Sequence, residues 1–382
     1  MSDPASPSMN GQKEYAEKPG KITPAMQQFY DAKQQYPDCV IFFRMGDFYE
    51  TFCEDARICA RELDITLTSR GRMPDGQDIP LAGVPYHAVD TYLSRMISKG
   101  YKVAICEQVE DPKKAKGIVK RAVVRVVTPG TVIDAALLST EQARYLMAVY
   151  PDLKKKRVGL SFIDISTGDF QFTEIPAQDI EDGIRSEAAR YHPSECILPA
   201  GSGEDLIRLL HPVIPLVSPQ DPSLFSPTPA EEVLCRQFGI PDPKDLPCAG
   251  FPAGTCAAGA ALAYAQKTQF SQLPHIRSLH RSDFKSHLVL DAVTLRNLEV
   301  LQNIRDRTEE GTLAATIDMT LTPMGRRLLR RRIAAPLLDP DAINRRLDAV
   351  TYFIDRSAVR QEVRARIHRF PDLERIAGRI SY

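Results

Sequence analysis

The sequence predicts a multidomain protein that is α/β over its first two thirds and all-α thereafter. Three observations carry this. At 382 residues the chain is too long for one ordinary core. Up to about residue 275, apolar runs rich in β-formers alternate with stretches of helical periodicity, the pattern of α/β units. After that, strand signals stop and the chain reads as helix to its end. The divisions expected are a tail at 1–21, a first α/β domain at 22–135, a second at 136–278 and a helical domain starting at 279 and running to 382.

The elements follow in order. Residues 1–21 are polar, lack the apolar stretch of a signal peptide and read as a disordered tail. "KITPAMQQFYDAKQQYPD" is a helix capped by Thr23, with Pro24 in its first turn and Pro37 past its end. "CVIFFRMG" is a buried strand closed by Gly46. From Glu50 to Leu63 the pattern is helical, with Phe52, Ala56, Cys59 and Leu63 on one face. "DITLTSR" is a strand, "GRMPDGQDIP" a polar loop and "HAVDTYLSRMISKG" a helix that starts near His87 and ends at Gly100. "YKVAICEQV" and "AVVRVVTPGT" are strands.

In the second domain, "AALLSTEQARYLMAVYP" is a connection followed by a strand, and "RVGLSFIDISTGDFQFTEI" is a hairpin turning at Ser-Thr-Gly-Asp. "DIEDGIRSEAARYHPSECILP" is a helix then a strand. Residues 199–229, rich in Pro, Ser and Asp, read as irregular loop. "AGTCAAGAALAYAQKT" is a small-residue helix suited to close packing. The final helical stretch is broken at Pro336 and Pro371. It ends without a Gly or Pro exit, as if cut within a domain.

Hydrophobic residues at 43%, charged residues at 26% and a net charge of zero suit a folded soluble protein, so any surface for nucleic acid must be local. The eight cysteines form no Cys-x-x-Cys pair and no zinc spacing. They read as reduced, mostly buried thiols of a cytosolic protein. No run of about 18 apolar residues could span a membrane.

One short stretch leaves two possibilities open. If "GDFYE" is extended, Phe48 and Glu50 point one way and Tyr49 the other, so the first two can project while Tyr49 packs. If it is already helical, Phe48 and Phe52 share a face and Phe48 is core.

"TPAMQQFYDAKQQYPDCVIFFRMGDFYETFCEDA", "LDITLTSRG", "IPLAGVPYHAVDTYLSRMISKGYKVAICEQVEDP" and "TPGT" together resemble the mismatch-recognition domain of the MutS family of DNA mismatch-repair proteins. "SFIDISTGDFQFTE", "YHPSECIL" and "LPHIRSL" resemble that family's connector domain, of ribonuclease-H-like fold. "LDAVTLRNLEVLQNIRD", "GTLAATIDMTLTPMGRRLLRRRI" and "DLERIAGRI" resemble the opening of its helical core, or lever, domain. The match is collinear from about residue 22 to 382.

The resemblance implies a binding protein for duplex DNA carrying mismatches or small loops. In the family a Phe-x-Glu motif probes the DNA, which here is Phe48-Tyr49-Glu50: Phe48 wedges at the mispaired base and Glu50 hydrogen-bonds it. It further implies homodimers, a downstream MutL-type partner, a cytoplasmic, nucleoid-associated location in a prokaryote, and ATP with Mg in the C-terminal half of full-length relatives. No Gly-x-x-x-x-Gly-Lys-[Ser/Thr] occurs in this chain, so no cofactor and no ATPase activity are expected of it.

Further DNA-binding candidates are His87, near a helix start whose free N–H groups suit a phosphate, and Arg44, Arg70 and Arg72. Asp164, Asp169 and Glu174 on the hairpin raise the alternative of a metal-dependent nuclease, against which turn chemistry explains both aspartates. A second alternative is an interaction scaffold. The five arginines of "GRRLLRRRI" are expected on a solvated helix with their stems packed on neighbours, rather than in a nucleic-acid patch.

Overall fold

In the computed structural model, residues 22–72, 76–110, 117–134 and 143–380 are described. The expected tail at 1–21 and the connection at 135–142 lie outside them. Two mixed α/β sheets are followed by a helical part, the predicted order of classes.

Helix α1 (Pro24–Gln35) begins where Thr23 accepts a hydrogen bond from the N–H of Met26. Strand β1 (Val40–Met45) turns tightly at Gly46 into β2 (Phe48–Phe52), and helix α2 (Cys53–Leu63) follows at once. The expected helical start at Glu50 is thus corrected. Phe52 sits at the helix cap, so its helical spacing to Ala56 is met while Glu50 and Thr51 remain strand. After β3 (Thr68–Arg72) comes β4 (Asp78–Pro85), which occupies the end of the expected loop. Pro80, Gly83 and Pro85 hide its alternation in the sequence. Helix α3 (Val89–Ser98), β5 (Val103–Gln108) and β6 (Arg121–Val127) complete the unit.

The sheet order is β3-β4-β2-β1-β5-β6, antiparallel except for the β1–β5 pair. One face packs Val40, Phe42 and Tyr49 against α2 and α3. The other packs Ile41, Phe43 and Phe52 against Met26 and Phe29 of α1. Along β2 that second face continues beyond the buried Phe52 to Glu50 and then to exposed Phe48.

The second sheet has the order β11-β10-β7-β8-β9-β12. Strands β7 (Leu146–Asp152), β8 (Arg157–Asp164) and β9 (Asp169–Pro176) form an antiparallel meander that includes the predicted hairpin, with Asp164 facing Asp169. Helix α4 (Ile180–Tyr191) leads to β10 (Glu195–Pro199), which pairs parallel with β7. The stretch expected as irregular loop holds α5 (Glu204–Leu210), β11 (Val217–Gln220) and the start of α6 (Pro227–Phe238), so that expectation is corrected. Pro222 and Pro227 open helical elements, and Pro219 lies within β11, where it is tolerated because β11 is the edge strand of its sheet. The small-residue helix α7 (Pro252–Gln269) lies on the meander. A β-carbon at Gly159 of β8 would fall 1.9 Å from the carbonyl oxygen of Ala253, so only glycine allows that approach. Strand β12 (His280–Arg281) closes the sheet beside β9.

Beyond it the longest helices are Pro323–Ala334, Pro340–Asp355, Ser357–Ile367 and Leu373–Ile380. Over most of its length the arginine run is ion-paired and partly covered rather than solvated. Arg327 is buried and bidentate to Asp372 at 2.6 and 2.7 Å, and also pairs with Glu374. Arg326 and Arg330 pair with Glu309, and Arg331 reaches Asp169 of the hairpin at 2.6 Å.

The two α/β units meet at a buried ionic joint. Lys102 is 7% exposed. It pairs with Asp38 at 2.9 Å within its own unit and lies 3.7 Å from fully buried Glu195 of β10. Glu195 also accepts from the Thr128 hydroxyl, the Gly130 N–H at 3.1 Å and the Tyr264 hydroxyl at 2.7 Å. Burial opposes the Lys102 charge, but Glu195 and Asp38 outweigh it and hold its pKa above the ordinary value.

Candidate nucleic-acid interface

Of the two alternatives for "GDFYE", the chain adopts the extended one: Gly46 and Asp47 form the turn and Phe48–Phe52 is strand. Phe48 is 47% exposed, Tyr49 is 6% exposed, and Glu50 lies between. Tyr49 is held from below. Its ring packs on Phe42 and its hydroxyl donates to Glu107 of β5. Burial, then the Glu107 carboxylate, push its pKa up to about 12, so it stays a donor. With Tyr49 fixed inward, strand alternation turns Phe48 and Glu50 to the opposite face.

Glu50 is nearly covered, with 14% of its side chain exposed. Arg70 of β3 donates to its Oε1 at 3.3 Å, while Oε2 is buried without a hydrogen-bond partner among the described residues. Burial raises the Glu50 pKa, and the Arg70 and Arg121 charges oppose the rise without cancelling it. A buried carboxylate oxygen left open is costly, and it is an acceptor awaiting a donor.

The other sequence candidates divide. Arg44 is pinned rather than free: its Nε donates to the Gly46 carbonyl at 2.6 Å and its guanidinium stacks on Tyr86 at 4.0 Å. Exposed His87 meets the edge of Tyr86, and the Tyr86 N–H donates to the Asp47 carbonyl at 2.9 Å. A 3-10 turn, Tyr86–Ala88, thereby buttresses the β1–β2 turn that presents Phe48. The α-helix itself starts at Val89, so His87 lies one turn ahead of it. Arg72 pairs with Asp78 at 3.5 Å on the outer hairpin. The structure therefore groups Phe48, Glu50 and Arg70 in one place and Arg44, Tyr86 and His87 beside it.

Three contributors escaped the sequence. Tyr86 carries the stacking, Arg121 adds positive potential to Glu50, and Gly83 lies opposite Glu50 in the register. Gly83 had a signal, since it interrupts the alternation Ile79, Leu81, Gly83, Pro85. Arg121 had none, being 71 residues from Glu50 in sequence and on β6, from which its side chain reaches back to the Arg44 carbonyl of β1 at 2.7 Å.

The hairpin carboxylates are in structural use. Asp164 is buried, accepts from the Ser166 N–H and hydroxyl at 2.9 and 2.7 Å, and so holds the turn. Asp169 accepts from Tyr145 and Arg331, and Glu174 accepts from the N–H groups of Ala253 and Gly254 at the start of α7. Among the described residues no group of three or more His, Cys, Asp or Glu side chains is placed to hold a metal ion.

Comparison with known proteins adds lineage to this geometry. Residues 23–136 match the family model MutS domain I, residues 144–277 match MutS domain II, and residues 293–382 match MutS domain III. Proteins named DNA mismatch repair protein MutS are similar to the chain. That of Methanosarcina acetivorans is 47% identical over 373 residues, covering 94% of this chain and 41% of the relative. That of Methanococcoides burtonii is 46% identical over 364 residues, with 95% and 41% covered. That of Dehalococcoides mccartyi (strain ATCC BAA-2266) is 44% identical over 359 residues, with 94% and 41% covered. The chain thus spans about two fifths of the length of the curated relatives it matches.

Proposed function

The chain belongs to the MutS family, and from that premise we propose that it binds duplex DNA at mispaired or looped-out bases, with Phe48 as the wedge and Glu50 as the group that tests the displaced base. The observation that carries this is the exposed Phe48 beside a nearly covered carboxylate with one open oxygen, both at the uncovered end of a sheet face.

The physical case is direct. An apolar wedge entering the minor groove unstacks a base step and kinks the duplex. A mispaired step deforms at lower cost than a paired one, so deformability itself is sensed. Stacking on an aromatic ring tolerates any base and is worth roughly 1–3 kcal/mol. Glu50 adds selectivity, because a carboxylate near phosphates is repelled unless a base edge compensates it. Arg44, Arg70, Arg72 and His87 are assigned to the flanking phosphates. Binding is then expected to weaken steeply with salt, since phosphate contacts release counterions. For this chain we infer binding without turnover. In longer relatives the same unit is taken to act within dimers that bind ATP and engage a MutL-type partner.

The test is Phe48→Ala titrated against paired and G·T-containing duplexes at one salt concentration. The preference for the mismatch is expected to vanish while the melting temperature holds. Truncating a core phenylalanine would instead cost about 3–5 kcal/mol. A large drop in melting temperature with the preference retained would place Phe48 in the core and refute the proposal.

A further inference from the structure

Gly83 stands where the backbone does not require a glycine. It lies inside β4, directly opposite Glu50, and its φ is outside the left-handed region. Strand interiors disfavour glycine, which has no side chain to pack and loses the most freedom on ordering. Core packing does not explain it either. Ile79 on the same face is buried, but position 83 is exposed. A β-carbon placed there would meet Glu50 Cγ at 3.8 Å, Phe48 Cδ1 at 3.9 Å and the Tyr49 carbonyl oxygen at 3.6 Å. All three are ordinary contacts, so a side chain would fit without a clash. Glycine at this position leaves a space that touches both Phe48 and Glu50.

We propose, building on the mismatch-sensing role above, that Gly83 is a specificity-determining position: the space beside it is the notch through which a base edge displaced by Phe48 reaches the Glu50 carboxylate. Glycine within a strand commonly marks close approach of a ligand. The occupant has the chemistry of an unstacked nucleobase, flat enough for the notch and offering an N–H to the oxygen that has no partner. A stacked, paired base does not enter. A branched side chain at 83 fills the notch while leaving wedge, carboxylate and sheet in place.

The experiment titrates this chain, Gly83→Val, Gly83→Ala and Phe48→Ala against paired and G·T-containing duplexes at one low salt concentration, with thermal melting of each. Gly83→Val is expected to lower affinity for the mismatched duplex about tenfold, the loss of one charge-assisted hydrogen bond. Its affinity for paired DNA should stay within about twofold, and its melting temperature should hold or rise because valine favours strands. Gly83→Ala should lose part of the preference, and it decides the matter if the valine variant melts early. If Phe48→Ala loses the preference while the Gly83 variants that fold keep the full wild-type ratio, the notch is refuted and the wedge stands. If the unaltered chain shows no preference, or Phe48→Ala keeps it, the mismatch-sensing role fails and the notch with it.

Discussion

Glu50 carries a charge in a place that penalises charge, and this makes it a measurable probe. Burial holds its folded pKa above the ordinary 4.5 despite Arg70 and Arg121. A carboxyl raised in this way costs stability where it is ionised. The cost is absent below the unfolded value, where both states carry the proton, and it grows as pH rises through the folded value. Glu50→Gln is therefore expected to match the parent near pH 3.5 and to exceed it by about 1 kcal/mol at pH 7, read by urea unfolding. Equal stability at both pH values would mean that the carboxylate is already compensated. On DNA, Glu50→Ala should tighten binding to paired duplex about threefold by removing a repulsion, and so shrink the ratio of mismatched to paired affinity. An equal loss for both duplexes would make Glu50 a uniform contact. Alternation around Tyr49 allows Phe48 and Glu50 to project and the family resemblance selects them, but the Arg70 contact and the open oxygen depend on how β3 folds back along β4, the strand between it and β2, which no local pattern encodes.

Among elements, those legible in advance had a strong period or a clean cap. Helix α1 announces itself by Thr23 and Pro24, and the β8–β9 hairpin by its alternation and turn. Strand β4 was illegible because two prolines and a glycine dilute its alternation. The β2–α2 boundary was misplaced because Phe52 satisfies both periods at once. Helix α5 was lost in a proline-rich stretch whose prolines all fall outside the helix itself. Packing between elements yields a sharper prediction. At Gly159 a methyl group would strike the backbone of α7 itself, which cannot swing aside as a side chain can. Gly159→Ala should destabilise the chain by about 3 kcal/mol or more, whereas Gly83→Ala should leave it unchanged. Denaturant midpoints of the two variants test the contrast, and a tolerated Gly159→Ala would mean that α7 sits farther from β8 than the structure places it.

At the scale of the whole molecule, Lys102 and Glu195 form a buried ionic contact that joins the two α/β units. Removing one partner of a buried ion pair leaves the other uncompensated, at about 3–5 kcal/mol. Lys102→Met should lower the denaturation midpoint accordingly, and Lys102→Met with Glu195→Gln should recover part of the loss, since the only carboxylate then left without Lys102 is the exposed Asp38. Recovery absent from the double variant would show that the pair does not couple. The joint also limits how this chain can be dissected at the bench. A piece ending at Asp134 would keep Asp38, Lys102, Thr128 and Thr131 but lose Glu195, Tyr264 and Gln269, which close over them. What was interior would become a wet surface, and each half would be judged in a shape it does not hold when whole. An expression plasmid for the first unit is therefore better terminated after β12, at the far edge of the second sheet, than at the boundary between the two.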